Sequence, residues 1–403
     1  MKITQIRNAT IIVDYSNTKF LIDPWLMPKD YMPGFDTAIN SEIRQPRVEL
    51  PFEIEKIVDV DAVIITHIHP DHWDEFAEKS INKDMKIFVQ SDYDKNYILS
   101  KDFKDVEILS FEGTKYNNIT LYKTSGQHGK REVMKPLCEQ INMPYDIMGV
   151  VFKSKTEKTL YVAGDTIYCE EVQEALDKYN PDVIVINACG ATVLNGERLI
   201  MKQEDIDEVL KNAPYSTIIA SHMDTVSHLS VTRDDLKEYI DKNNIDNLLI
   251  PDDGETLEFL AEKEIQQNKI TARKFYEFIA NKEYKEASRL CSDDFVYYPQ
   301  VDTCLKGVEK FIELESSNMN PFGDFKMRTR FIIADNDRVA VYLTFDGTLI
   351  GDEWHNIKVQ KKHLYMDFMT MLKFKDGKII EKRAKYDRYF IYKQLGVKTL
   401  ELK

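Results

Sequence analysis

The sequence has few cysteines and no long apolar run, and both shortages narrow the classes of protein that it can encode. Its five cysteines are scattered over 403 residues without a CxxC pair, so neither a disulfide framework nor a redox dithiol is indicated. A reducing cytoplasm is the compartment that fits this usage. We find no apolar stretch long enough to span a bilayer. With 43% apolar and 30% charged residues, the composition is typical of a soluble globular protein.

Basic residues are also fewer than acidic ones. Lys and Arg number 54 against 68 Asp and Glu, which gives a net charge of −14. Nucleic-acid binding requires a basic face that neutralises phosphates, so this balance argues against nucleic acid as a partner. The chain contains no G-x-S-x-G nucleophile elbow, which argues against a serine hydrolase. We therefore expect a small-molecule substrate and no membrane partner.

The patterning predicts two domains, 1–264 and 265–403. The first alternates short apolar runs, predicted as strands, with segments predicted as helices, such as 170–179. Two stretches, 26–50 and 129–147, resist assignment and are expected to be functional loops. The second domain begins with a helical composition and continues with long alternating strands, whose hairpin turns are predicted at ADND and KDGK. Helices followed by a run of antiparallel strands indicate an α+β domain.

The stretch VIITHIHPDHWDEF concentrates potential metal ligands behind an apolar run. It contains the pattern His-x-His-x-Asp-His, formed by His67, His69, Asp71 and His72. If the apolar run is a strand, the first two histidines leave the turn on the same side, and a helix is expected to begin near Pro70. Imidazole suits zinc, and carboxylate suits a harder or bridging position. A solvated loop would explain one such residue, but four donors in six positions indicate a metal site.

Three further donors follow other predicted strands. His128 comes after LYKTSGQ, Asp165 stands in TLYVAGDTIY, and His222 follows STIIAS. A rigid sheet can hold side chains that emerge at strand ends in a fixed geometry. Each of the three alone could be a cap or a buried polar residue, but together with the first cluster they predict a metal centre.

The order of these motifs resembles that of the metallo-β-lactamase superfamily. The first hairpin is similar too, because it ends in a Leu-x-Asp-Pro turn at Leu21 to Pro24. The nearest branch is the L-ascorbate-6-phosphate lactonase-like group of bacterial hydrolases. The resemblance covers about residues 1–260, and it implies an α/β fold, an αββα sandwich with a dinuclear site on one edge.

The resemblance also implies a role for each donor. One metal ion would be held by His67, His69 and His128, the second by Asp71, His72 and His222, with Asp165 bridging the two. We expect zinc, with manganese or iron as alternatives. The flavodiiron branch usually has Glu at the position of His69, so its presence here favours hydrolysis over redox iron chemistry.

The chemistry implied is attack by a hydroxide that two metal ions generate from water at neutral pH. Asp71 would orient this hydroxide, and the substrate could be an ester, lactone, phosphoester or amide. His228 is a candidate acid or substrate contact, with a helix cap or a supporting role as the alternative. Tyr168 and Asp224 are weaker candidates of the same kind. Cys169 and Cys189 are expected to be small buried residues without a catalytic role.

One departure from the superfamily pattern is visible near the start of the chain. Many relatives have Gly-His-Ala there, whereas this sequence has RNAT, with Asn8 in place of the histidine. The position is not among the metal ligands of the motif set. The departure therefore affects substrate contact and leaves metal binding intact.

The second domain resembles the SnoaL-like, nuclear-transport-factor-2-like fold over residues 268–403. This implies a smaller, cone-shaped α+β domain with a pocket, of a kind that often dimerises. Val341, Leu343 and Phe345 are expected on an exposed sheet face, with Val339 or Tyr342 on the opposite face. This favours a homodimer through this domain, with packing of the face on the first domain of the same chain as the alternative. His355 and His363 have no ligand-type neighbours in the sequence, so we expect no metal at either.

Three functions compete at this stage. The first is a metal-dependent hydrolase of small molecules. The second is a metal-dependent nuclease, as in the transfer-RNA-processing branch of the superfamily, and the acidic charge balance argues against it. The third is a non-catalytic binding or oligomerisation protein with a vestigial centre, and the complete donor set argues against that. Substrate specificity is expected to reside in 26–50 and 129–147, with the second domain as a further candidate.

Overall fold

The computed structural model describes residues 1–140, 144–299, 303–355, 357–360 and 362–397. The chain divides into two compact units, Met1–Phe259 and Leu260–Lys403. The division predicted after residue 264 falls inside the first helix of the second unit, which begins at Glu262. Within the described ranges, no helix is long and apolar enough to cross a membrane.

The first unit contains the strands β1 Lys2–Arg7, β2 Thr10–Tyr15, β3 Thr18–Ile22, β4 Ala62–Ile64, β5 Lys86–Val89, β6 Asp105–Ile108, β7 Thr114–Tyr116, β8 Ile119–Ser125, β9 Met148–Lys153, β10 Leu160–Val162, β11 Val183–Asn187, β12 Thr217–Ser221, β13 Leu248–Leu249 and β14 Thr256–Glu258. Its helices are α1 Ile54–Ile57, α2 Glu75–Ser80, α3 Asp92–Leu99, α4 Arg131–Gln140, α5 Glu170–Tyr179, α6 Gln203–Asn212 and α7 Arg233–Asn243.

These strands form two seven-stranded sheets, ordered β14-β1-β2-β3-β4-β5-β6 and β13-β12-β11-β10-β9-β8-β7. The core between the sheets contains Phe20 and Phe88 from the first and Val150 from the second. Residues on the outer faces of the strands are also buried. Leu21, Val63 and Ile87 of the first sheet pack with residues of α2 and α3, and Tyr161, Ile184 and Ile186 of the second pack with residues of α5 and α6. The layers are therefore αββα, which confirms the predicted fold class. Burial on both faces explains why these strands are continuous apolar runs in the sequence.

The second unit contains the helices α8 Glu262–Ala280, α9 Tyr284–Arg289, α10 Val308–Met319 and α11 Arg388–Gln394. Its strands are β15 Cys291–Tyr298, β16 Leu305–Lys306, β17 Lys326–Asp335, β18 Arg338–Thr348, β19 Glu353–Trp354, β20 Ile357–Lys358, β21 His363–Lys375 and β22 Lys378–Lys385. Six of them form a sheet ordered β16-β15-β22-β21-β18-β17. The two predicted hairpins are present, with left-handed residues at Asn336 and Gly377 in their turns.

The prediction of which face of this sheet is exposed is wrong. Val341, Leu343 and Phe345 are buried in the core of the unit, together with Phe275 of α8 and Phe311 of α10. Val339 belongs to the same buried face, because residues two apart on a strand point to the same side. The opposite face of the sheet is the exposed one, with its own apolar side chains, Phe331, Ile333, Met369 and Met371.

A cavity of about 380 Å³ lies in the second unit. Its wall includes Tyr297, Phe322, Trp354 and a buried ion pair, in which Lys382 Nζ lies 3.3 Å from Glu315 Oε1. Each of the two histidines of this unit contacts a polar side chain. His355 Nε2 lies 2.8 Å from Asn318 Oδ1, and His363 Nε2 lies 3.6 Å from Asp346.

Candidate metal centre

All seven donors predicted from the sequence converge in the first unit, and all are buried. They form two groups, within each of which the ligand atoms lie within 4.8 Å of one another. The first group is His67, His69 and His128, and the second is Asp71, His72, Asp165 and His222.

The strand ends of both sheets bring these donors together. The His-x-His-x-Asp-His segment follows β4, His128 follows β8, Asp165 follows β10 and His222 follows β12. The helix predicted from Pro70 begins later, at Glu75, with Asp74 as its N-cap. The Asp74 carboxylate accepts hydrogen bonds from the backbone N–H groups of Ala77, Leu26 and Met27. The metal motif therefore lies in a turn that is tied to the loop after β3.

Each imidazole directs one nitrogen toward the other donors and places the second nitrogen on a supporting group. The supporting contacts are His67 Nδ1 with Thr66 Oγ1 at 3.0 Å, His69 Nε2 with Pro144 O at 3.2 Å, His72 Nδ1 with Asp23 Oδ2 at 3.0 Å, His128 Nδ1 with Asp165 O at 3.2 Å and His222 Nδ1 with Cys189 Sγ at 3.5 Å. Metal-binding histidines are typically oriented in this way.

The histidines of the first group are neutral. Burial lowers the pKa of His67 well below its usual value, and the neighbouring His72 and His69 lower it further. Burial and His69 lower the pKa of His128 to about 4. Among the described residues, Nε2 of His67 is a buried polar atom without a hydrogen-bond partner. A neutral imidazole nitrogen that is buried and unpartnered is suited to bind a metal ion.

The second group combines ionised carboxylates with imidazoles. Burial would raise the pKa of Asp71, but His72 and His222 outweigh it and lower that pKa. Burial would likewise raise the pKa of Asp165, which His72 and His222 lower well below its usual value. His72 Nε2 lies 3.1 Å from Asp165 Oδ2, and His222 Nε2 lies 3.3 Å from Asp71 Oδ2. Two buried anions among imidazole nitrogens form a donor set that fits divalent metal ions.

Asn8, whose position was expected to affect substrate contact and not metal binding, lies inside the second group. Its Nδ2 donates to the backbone oxygen of Asp71 at 3.2 Å, and lies 3.1 Å from His222 Nε2. Asn187, at the end of β11, donates from Nδ2 to Asp165 Oδ1 at 2.6 Å. Asn187 was not among the predicted site residues, although it has the same signal as the other donors, a polar residue at the end of an apolar strand.

A cavity of about 100 Å³ adjoins the donors, and His228 is part of its wall. Burial lowers the pKa of His228 to about 4, and its Nδ1 is a buried atom without a partner in the described part of the chain. The ring lies against Phe35, with 5.4 Å between centroids. Tyr168 and Asp224 are engaged elsewhere: the Tyr168 hydroxyl donates to Gln173 and Asp224 pairs with Arg233.

The rest of the wall is mostly apolar and includes residues from both unassigned segments. Phe35 and Ala38 come from 26–50, and Met134 and Cys138 from 129–147, where α4 forms. Val193 and Leu199 complete this side. Residues 141–143 of the second segment lie outside the described ranges.

Comparison with known proteins gives matches for both units. A family model described as a β-lactamase superfamily domain matches residues 18–223, and one described as a SnoaL-like polyketide cyclase matches residues 269–395. UPF0173 protein YddR of Bacillus subtilis (strain 168) is 42% identical over 261 residues, which is 64% of this chain and all of that protein.

Two crystal structures have a similar level of identity. The isothiocyanate hydrolase from Delia radicum gut bacteria is 40% identical with a TM-score of 0.61, over 64% of this chain and 99% of that one. A possible metal-dependent hydrolase from Veillonella parvula DSM 2008 is 42% identical with a TM-score of 0.62, over 64% of this chain and 98% of that one.

Proposed function

We propose that this chain, which belongs to the β-lactamase superfamily and is a metal-dependent hydrolase, uses a dinuclear centre to hydrolyse a small, largely apolar electrophile. The observation that carries this proposal is the pairing of two buried donor groups around ionised carboxylates. His67, His69 and His128 would hold one ion, and Asp71, His72 and His222 the other. Asp165 would bridge them. Zinc is the first choice of metal, with manganese and iron as alternatives.

Bound divalent ions would supply hydroxide from water at neutral pH and polarise the group under attack. The side chains around the metal centre would fix the directions from which water and substrate approach it. The Asp71 carboxylate accepts a hydrogen bond from Asn8 Nδ2 at 3.4 Å and lies 3.3 Å from His222 Nε2, so it is restrained for orienting a water molecule. His228, with a pKa of about 4, is neutral at pH 7. We therefore propose it as a substrate contact rather than as a charged acid.

Isothiocyanates are the first substrate class that we propose. The support is the 40% identity to an isothiocyanate hydrolase and an apolar cavity of about 100 Å³ that suits a small substituent. Addition of water across the N=C bond of R–N=C=S, followed by loss of carbonyl sulfide, gives the amine R–NH2. Esters, lactones and amides remain alternatives. The cavity wall has no Lys or Arg among the described residues, which counts against a phosphoester because phosphate recognition relies on such groups.

The test is a substrate panel given to protein reconstituted with zinc. Allyl and phenethyl isothiocyanate, a lactone, a p-nitrophenyl phosphodiester and an anilide would be compared, with Asp165→Asn protein as the matched inactive control. We expect turnover of an isothiocyanate that the variant lacks. Turnover of the phosphodiester alone would contradict the proposed substrate class and favour the nuclease alternative, which the net charge of −14 opposes.

We propose that the second unit makes the protein a homodimer. We also propose that the protein is located in the cytoplasm. The support is an apolar patch on the outer face of its sheet, where Phe331, Tyr342 and Met369 form one cross-strand row and Ile333, Ala340 and Met371 the next. A patch of this kind marks an interaction surface, and a symmetric pair is the commonest way to cover it. A binding role for the cavity of this unit is the alternative, with its volume of about 380 Å³ as support.

A further inference from the structure

His222 has a strained backbone for a metal ligand. Its φ is +63°, a left-handed value that residues with a Cβ seldom adopt. Such a conformation persists only where the surroundings fix it. The backbone N–H of His222 donates to Asn8 O at 2.9 Å. On the side chain, Nε2 lies toward Asp71 and Nδ1 lies toward Cys189.

The group beside Nδ1 is a sulfur, unlike the oxygens that support the other four imidazoles of the centre. Cys189 Sγ lies 3.5 Å from Nδ1, and both residues are buried, with exposed fractions of 0% and 1%. If Nε2 binds a metal ion, Nδ1 carries the ring proton and the sulfur is the acceptor. Thiol sulfur can fill this role, although it is a weaker acceptor than oxygen.

The backbone of Cys189 also forms hydrogen bonds with the far end of the loop that begins at His222. Its carbonyl oxygen accepts hydrogen bonds from the N–H groups of Ser230 and Val231, both at 3.0 Å. The N–H of Thr192, three residues on, donates to His228 O at 3.0 Å. Gly190 permits this approach, because a Cβ at that position would lie 2.6 Å from Ser230 Oγ. The segment that carries both His222 and His228 is thus attached to Cys189 at its two ends.

We propose that Cys189 is a positioning residue for His222, a role that nothing in the sequence pattern assigned to it. Its sulfur accepts a hydrogen bond from Nδ1–H and fixes the ring with Nε2 toward Asp71 and Asp165. The inference rests on the proposed metal centre, since its consequence is the affinity for the ion that His222 would hold.

Two substitutions separate positioning from packing. Cys189→Val keeps an apolar side chain, larger by one methyl group, and removes the acceptor, whereas Cys189→Ser keeps an acceptor and leaves a smaller group. A packing role predicts that Val is tolerated better. The positioning role predicts that Val weakens the affinity for the ion at His222 by about 10–100-fold, and that Ser retains more of that affinity.

The measurement is a chelator titration of zinc-loaded protein, followed by elemental analysis and by the visible spectrum of cobalt-substituted protein. Cys169→Ala is the matched control, because Cys169 lies near another strand end with its Sγ 3.6 Å from Thr166 Oγ1. We expect the control to match wild type. A Cys189→Val curve that overlays wild type, or one that exceeds Cys189→Ser, would overturn the proposal.

Failure of the metal centre itself would be distinguishable. Wild-type protein that binds fewer than two ions contradicts the dinuclear centre, whereas two ions with indifferent Cys189 variants contradict only the role of Cys189. Circular dichroism of the metal-free variants checks that they are folded. If Cys189→Val does not fold, Cys189→Ala replaces it in the comparison with Cys189→Ser, with the same expected order.

Discussion

Asp23 Oδ2 lies 3.0 Å from Nδ1 of His72, on the side of the ring away from Asp165. The same carboxylate accepts hydrogen bonds from the backbone N–H and the hydroxyl of Thr66, each at 2.7 Å. The Thr66 oxygen lies 3.0 Å from Nδ1 of His67. One carboxylate therefore supports an imidazole of each donor group, directly in one case and through a hydroxyl in the other.

Asp23→Ala should weaken both metal positions. Supporting partners of this kind typically contribute about 10–100-fold to metal affinity, and here one substitution removes the partner of His72 and the acceptor of Thr66. Thr66→Val should weaken mainly the position at His67, because it keeps the carboxylate beside His72. Chelator titration of the two variants measures the difference. Equal behaviour of the two variants would contradict the shared support.

The seven predicted donors lie close together, and the patterns that pointed to them are local in the sequence. His67 to His72 form a dense motif, and His128, Asp165 and His222 each follow an apolar run, so strand ends could be inferred without knowledge of the sheet order. The supporting groups could not be predicted in this way. Cys189 and Thr66 are small residues without a motif around them, and their role depends on which strand ends become neighbours in space.

Helix α4 shows a different limit. Its sequence, REVMKPLCEQ, contains Pro136 within the helix, and proline inside a segment argues against a helix in any local reading. In the second unit, the aromatic sequence RYFIYKQ at 388–394 would suit a strand, yet these residues form α11, where Ile391 is buried in the core. Burial against the rest of the fold favours the helical conformation of both α4 and α11, and the local sequence pattern carries little information about such burial.

Replacing His228 should lower activity without removing metal. His228→Ala takes away a ring on the wall of the small cavity, while all seven donors remain. We expect kcat/KM to fall by about 10–100-fold, because the loss of one buried hydrogen-bonding contact costs about 1–3 kcal/mol, with metal content unchanged. Steady-state kinetics beside elemental analysis tests this. Unaltered kinetics would assign His228 a merely structural role.

Asp94 should make stability depend on pH. Burial raises its pKa from 3.8 to about 6, so the folded state retains a proton that the unfolded state has lost. The stabilisation is fully present below pH 4 and is lost as pH rises through 6. Asp94→Asn should therefore gain up to about 3 kcal/mol relative to wild type between pH 4 and pH 7.

Thermal unfolding of both proteins at the two pH values measures this relative gain. Asp92→Asn is the control, because Asp92 is exposed on the same helix. A difference in Tm between wild type and Asp94→Asn that is the same at both pH values would contradict the account.

The outer-face patch should hold the homodimer together. Ile333 is 62% exposed and lies in the cross-strand row with Met371, so Ile333→Glu would put a charge in the middle of the interface. We expect a dimer for wild type and a monomer for the variant, by light scattering of the full chain at micromolar concentration. Ile350→Glu is the control, since Ile350 is 70% exposed outside these strands. A monomeric wild type would contradict the dimer.

The metal content of protein purified without chelators tests the central claim most directly. Two buried groups of three and four donors predict two ions per chain. Asp165→Ala should lower that number to about one, because Asp165 would bridge the ions. His355→Ala, in the second unit, should leave it at two. A fully loaded wild-type preparation that holds one ion per chain, or none, would contradict the dinuclear centre.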